Sequence, residues 1–163
     1  YEESLAIKEQ KGDAQGKATT VHQIAGLKAQ EGDVAGAIAL YEESLAITEQ
    51  IGAAQTKAAT LHNIAGLKAQ QGDVSGAIAL YEESLAIKEQ IGDAQGKAAT
   101  LHKIAVLKAQ QGDVAGANAL YEESLAIKEQ KGDAQGKAAT LQNIAGLKAH
   151  QEDVAEANGH DAA

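Results

Sequence analysis

Apolar residues recur along this chain at helical spacing, interrupted at regular intervals by pairs of small or turn-forming residues. Between 54 and 70 the positions Ala58, Leu61, Ile64, Ala65 and Leu67 fall three or four apart and so share one face of a helix. Between 74 and 91 the positions Val74, Ala77, Ile78, Tyr81, Leu85, Ile87 and Ile91 mark a second helix. Gly72-Asp73 separates the two and Gly92-Asp93 follows the second. Glycine takes the left-handed conformation that ends a helix, and an aspartate side chain accepts the free N–H groups that begin the next. A two-residue connection folds each helix back antiparallel on its neighbour.

The pattern repeats with a period of 40 residues. YEESLAIKEQ at 1–10 returns as YEESLAITEQ at 41–50 and unchanged at 81–90 and 121–130. Residues 41–80 and 81–120 differ only at Thr48/Lys88, Ala53/Asp93, Thr56/Gly96, Asn63/Lys103, Gly66/Val106, Ser75/Ala115 and Ile78/Asn118. A fixed period of this length signals a solenoid, in which neither helix of a unit buries its face alone and stacking builds the core. The expected fold is an all-α solenoid of about nine helical segments. Helices A cover 14–30, 54–70, 94–110 and 134–150, and helices B cover 1–10, 34–51, 74–91 and 114–131, with a remnant at 154–158. The whole of 1–163 reads as one repeat domain: a partial helix B over 1–11, repeats over 12–51, 52–91 and 92–131, and a truncated repeat over 132–163.

Composition narrows the chemistry. The 163 residues contain no Cys, Met, Phe, Trp, Pro or Arg, and four tyrosines are the sole aromatics. Thiol catalysis, disulfides and thiolate metal sites are excluded. The formal charge of −9 opposes a nucleic-acid partner, which needs clustered basic residues. No apolar run reaches the ~20 residues of a membrane span, and a cytoplasmic location is expected. No proline interrupts a helix.

The segment Leu61-x-x-Ile64-Ala65-x-x-Lys68, then Gly72-Asp73, Ala77, Tyr81 and Ser84-Leu85, resembles a tetratricopeptide repeat (TPR). Ala77 and Tyr81 match the family's helix-B contacts, and Ile64-Ala65 stand for its Leu-Gly pair. Leu61 replaces the usual tryptophan, Lys68 the tyrosine and Ser84 an alanine, and the terminal proline is missing. The 40-residue unit is similar to the longer variety found in kinesin light chains and bacterial arrays. The resemblance implies a right-handed superhelix with helices A on its concave face and helices B on its convex face. It also implies a non-enzymatic protein-interaction scaffold that binds a peptide or helix in the concave groove, with no cofactor.

The groove positions implied by the resemblance are His22, His62, His102 and Gln142; then Gln23, Asn63, Lys103 and Asn143; then Gly26, Gly66, Val106 and Gly146. The histidine row does not suit one metal ion. Equivalent residues in packed repeats stand on the order of 10 Å apart, against ligand bonds of about 2 Å. Duplication with the repeat explains the row, and a histidine ladder could make ligand binding pH-sensitive between about 5.5 and 8. Of the family's carboxylate clamp only Asn63 and Lys103 are matched, while His22, Gly26 and Ala99 occupy the other positions, so a clamp is not expected. Glu42-Glu43, Glu82-Glu83 and Glu122-Glu123 point about 100° apart on helix B and read as a solvated acidic face. Gly92-Asp93-Ala94-Gln95-Gly96-Lys97 has the outline of a phosphate loop but lacks its spacing, its Ser/Thr and a preceding strand, so it reads as an inter-helix turn.

Two functions are open. The first is the interaction scaffold with a protein or peptide partner. The second is a structural array, natural or designed, that stacks head-to-tail. Tyr1 opens within a helix B and 154–158 supplies the other half, so the two ends look complementary, and a heterologous contact of that kind propagates. An enzyme has no supporting motif. At the level of single residues, Ala53 in place of an N-cap aspartate weakens that helix start, Thr56 for glycine offsets part of this through propensity, and Asn118 and Asn158 reduce burial.

Overall fold

Turn chemistry sets where the helices stop. The computed structural model describes the backbone over 2–160 and the side chains over 12–152. Seven helices follow one another: α1 (Glu2–Gln30), α2 (Val34–Ile51), α3 (Ala54–Gln70), α4 (Val74–Gln90), α5 (Ala94–Gln110), α6 (Val114–Lys131) and α7 (Ala134–His160). Gly32, Gly52, Gly72, Gly92, Gly112 and Gly132 have positive φ, the left-handed step that closes each helix. The described residues contain no strand.

Nine expected segments become seven because the pair at each end merges. At the C-terminal end the reason is local. Gly32, Gly72 and Gly112 end their helices A, but the equivalent position holds Glu152. A glutamate at positive φ is strained, so α7 continues. At the N-terminal end the reason is tertiary. Residues 11–17 are identical to 131–137, yet the second copy turns at Gly132 while α1 runs through Gly12 and Asp13. A full-length α6, docked on its neighbours, precedes Gly132. A continuous helix through Gly12 keeps every backbone hydrogen bond. Tyr1, Leu5 and Ile7, expected on the buried face, and Asn158 lie outside the described side chains.

The chain divides into two compact units, Tyr1–Gly92 and Asp93–Ala163. In the first, Ala25, Ala37, Tyr41, Ile64 and Leu67 form a core, with Val34, Ile38 and Leu40 packed against it. In the second, Ala105, Ala117 and Tyr121 are surrounded by Val106, Leu120, Ile144 and Leu147. All five apolar positions expected on α3 are buried. On α4 the buried line is Ala77, Tyr81, Ser84 and Lys88, whereas Ile91 is exposed. The serine is buried because it is bonded. Ser44, Ser84 and Ser124 donate to the carbonyls of Ala18, Ala58 and Ala98 at 2.9, 2.7 and 2.8 Å, tying each helix B to its own helix A.

The aspartate caps depend on the glycine three residues later. Asp33, Asp73, Asp93, Asp113 and Asp133 accept from the N–H of Gly36, Gly76, Gly96, Gly116 and Gly136. A Cβ on any of these glycines meets the aspartate carboxylate, so a larger residue there expels the cap. Ala53 makes no cap bond, and its partner position is Thr56. The two substitutions are therefore coupled rather than independent drift. Ala53→Asp alone is expected to gain less than about 0.3 kcal/mol, whereas Ala53→Asp with Thr56→Gly recovers about 1 kcal/mol of cap energy. Urea unfolding of the two single variants and the double variant measures the coupling.

Asn118 stands where Ile38 and Ile78 stand in the earlier repeats. Its Oδ1 is buried without a hydrogen-bond partner, a cost of roughly 1–3 kcal/mol. Asn118→Ile is expected to raise stability by about 1–2 kcal/mol, seen as a higher denaturation midpoint at unchanged slope.

Candidate functional site

Within each unit a helix-A histidine, His22 in the first and His102 in the second, faces the next repeat, and three side chains meet each of these two rings. Thr60 Oγ1 donates to the Thr56 carbonyl at 2.9 Å, as Thr140 Oγ1 does to that of Gly136 at 2.9 Å. Each hydroxyl has then spent its proton and can only accept. His22 Nδ1 lies 2.9 Å from Thr60 Oγ1, and His102 Nδ1 lies 3.1 Å from Thr140 Oγ1, so Nδ1 carries the hydrogen in both rings. Nε2 is then the acceptor, and Asn63 Nδ2 reaches His22 Nε2 at 3.2 Å as Asn143 Nδ2 reaches His102 Nε2 at 3.2 Å. Asn63 also donates to the Tyr41 hydroxyl at 3.1 Å. His22, His62 and His102 meet Tyr41, Tyr81 and Tyr121 edge-on at centroid distances of 5.0, 4.9 and 5.2 Å.

This network uses both ring nitrogens of His22 and His102, which leaves no lone pair for a metal. Among the described residues no group of three or more His, Cys, Asp or Glu is placed to hold one. Burial lowers the pKa of His22. Burial, with the positive charges of Lys128 and Lys103, lowers that of His102 to about 4. His102 is therefore neutral from pH 5.5 to 8, and the pH-sensitive ladder expected from the sequence does not operate through it. The sequence held the residues of this network but not their pairing. Thr60 and Thr140 carry no apolar signal, and the one clue was their return with the repeat at 20, 60, 100 and 140.

Of the eight residues expected in the groove, His22 is joined to Asn63 and His102 to Asn143, all four half-buried. His62 is half-buried too, with the Lys88 ammonium 3.4 Å from its Nδ1. Gln23, Lys103 and Gln142 are exposed. The glutamate pairs divide. Glu43, Glu83 and Glu123 pair with Lys17, Lys57 and Lys97 at 3.2, 3.2 and 2.7 Å, while Glu42, Glu82 and Glu122 face solvent. Exposed pairs of this kind contribute about 0–1 kcal/mol each. Gly92 and Asp93 form the turn before α5, and Asp93 points its carboxylate at the α5 N–H groups, where a bound phosphate would have to sit.

Antiparallel helix pairs joined by αL glycines, with a small residue and an aromatic in each helix-B contact line, define an α-helical repeat protein. The tetratricopeptide repeat family model matches residues 16–90 and again 56–130, and the chain belongs to that family. Solved structures share the fold. A Podosopora anserina protein of the kinesin light chain type with nearly identical TPR-like repeats superposes with a TM-score of 0.71 at 23% identity, over 88% of this chain and 71% of that one. BtubC from P. vanneervenii gives 0.62 at 20% identity over 83% of this chain, which spans 64% of that protein's length. The N-terminal domain of stress-induced protein-1 from C. elegans gives 0.67 at 11% identity, over 83% of this chain and 97% of that domain. No curated protein sequence matches significantly. Among the described residues no helix is long and apolar enough to cross a membrane.

Proposed function

We propose that the chain, as one repeat domain over 1–163, is a non-catalytic cytoplasmic scaffold that binds a peptide or helix along its helix-A row. The TPR fold is a protein-interaction scaffold, which sets the class. The observation that carries the finer reading is the division of labour within the row. His22, His102, Asn63 and Asn143 are engaged by their neighbours, whereas Gln23, Lys103 and Gln142 stand exposed beside them. Position 63/103 is also among the few that differ between near-identical repeats: it is engaged where it holds Asn63 or Asn143 and exposed where it holds Gln23 or Lys103. The test is a pulldown with the intact chain against the triple variant Gln23→Ala/Lys103→Ala/Gln142→Ala and against His62/Asn63/His102/Lys103 changed to alanine. Loss of the same partner in both supports the groove. A partner retained by the exposed-residue variant moves recognition to another face.

A second reading is self-association. Ile24 and Leu27 are 43% and 59% exposed, while Ile64 and Leu67, at the same repeat positions, are 3% and 6% exposed against the α2 core. A helix-B surface from a second copy suits the α1 face, because that is what covers the face inside the chain. Light scattering over a concentration series tests this reading. It requires mass to grow with concentration and Leu27→Lys to abolish the growth, and a constant monomer mass overturns it.

A further inference from the structure

Lys128 is 8% exposed, and among the described residues its ammonium bonds a single neutral oxygen, Thr140 Oγ1 at 2.8 Å. An ammonium has three donors, and a buried charge is normally paired with an opposite one. The fold does not require the lysine. The same position in the first repeat is Thr48, 1% exposed and bonded to the carbonyl of Leu45 at 2.9 Å. Lys128 also lines a cavity of about 250 Å³ between the start of α5 and the end of α6, with Gln95, Ala98, Ala99, Ile127, Lys131 and Asp133. That volume equals roughly eight waters of liquid, room for a short side chain.

We propose that this cavity binds a carboxylate from a peptide, with Lys128 as the buried anchor, Lys131 as a second cation at the edge and Ala98, Ala99 and Ile127 as apolar walls. Two lysines against one carboxylate, Asp133, leave the lining net positive in a chain of charge −9. Asp133 is committed to the N–H of Gly136. Gln95 supplies an amide for a second bond. Burial holds down the Lys128 pKa and the nearby Asp133 charge offsets only part of this; an entering anion favours the ammonium further, because an adjacent opposite charge stabilises it. The site lies within 93–163 and uses none of the exposed row residues Gln23, Lys103 and Gln142, although Lys128 shares the Thr140 hydroxyl with His102.

The test is an NMR titration of the intact chain with three probes: N-acetyl-glutamate N-methylamide, which offers a side-chain carboxylate; N-acetyl-alanine, which offers a terminal one; and neutral N-acetyl-glutamine N-methylamide. The proposal expects saturable shifts of the Ala98 and Ala99 amides and of the Lys128 side chain, with a dissociation constant in the ~1–10 mM range of a single fragment. Whichever carboxylate probe binds more tightly identifies the source. Lys128→Met and Lys128→Thr, the latter supplying the residue found at 48, are each expected to weaken binding at least fivefold with circular dichroism unchanged. Linear, unsaturated shifts, an equal response to the neutral probe, or unchanged affinity in a folded Lys128 variant overturns the proposal.

Discussion

Leu101→Ala is expected to destabilise the chain by about 3 kcal/mol, while Leu141→Ala, at the same place in the next repeat, costs less than about 1 kcal/mol. The two leucines sit in near-identical sequence, ATLHKIAVL and ATLQNIAGL. Leu101 is 1% exposed and Leu141 is 44% exposed. The difference is what lies over them. α5 packs against the α6 that follows it, whereas α7 runs on past Glu152 and no helix follows it among the described residues. Truncating a fully buried leucine removes its transfer energy and leaves a cavity. Truncating one already in water removes little. Denaturant unfolding followed by helical circular dichroism reads both variants, and equal losses would show that the C-terminal helix is covered.

Stability is expected to rise as pH increases from about 4 to 6.5, and His102 supplies part of that slope. The unfolded chain takes up the imidazole proton near the ordinary value of 6.5, and the folded chain does not until about 4. Between those values the unfolded state binds more protons, so lowering the pH draws the equilibrium towards it. The contribution is fully present above about 6.5 and lost by about 4. Allowing for solvent around the half-buried ring, it amounts to roughly 1–2 kcal/mol. His102→Gln, which copies residue 142, removes this part of the slope. Lys128→Met raises the His102 pKa by deleting a nearby positive charge and so makes the slope shallower. Unfolding free energies at pH 7, 5.5 and 4.5 for the three proteins measure both effects.

Much of the fold was legible because its signals are local. The αL glycines and Asp caps place the ends of α2, α3, α5 and α6 where the sequence pattern puts them, and Ala58, Leu61, Ile64, Ala65 and Leu67 are buried as their spacing requires. Helix B was less legible because half of its buried line is polar. Ser84 and Lys88 are buried, which apolar periodicity cannot signal, while Ile91 follows the periodicity and lies in water. Gly12-Asp13 shows the limit of turn chemistry. The same residues turn at 132 and not at 12, so the local residues alone do not decide the turn. In the site, residue types were visible but pairings were not. His22 and Asn63 are 41 positions apart, and only the stacking of one helix A beside the next brings them together.

The central claim is that His22 and His102 each join two adjacent repeats and leave recognition to the exposed residues beside them. Long-range ¹H–¹⁵N correlation spectra of the imidazole nitrogens, recorded from pH 8 to 3.5, test it most directly. The account predicts that His102 is neutral with its hydrogen on Nδ1 throughout the range above about pH 5, and titrates near 4. A His102 ring that carries its hydrogen on Nε2, or that titrates near 6.5, contradicts it.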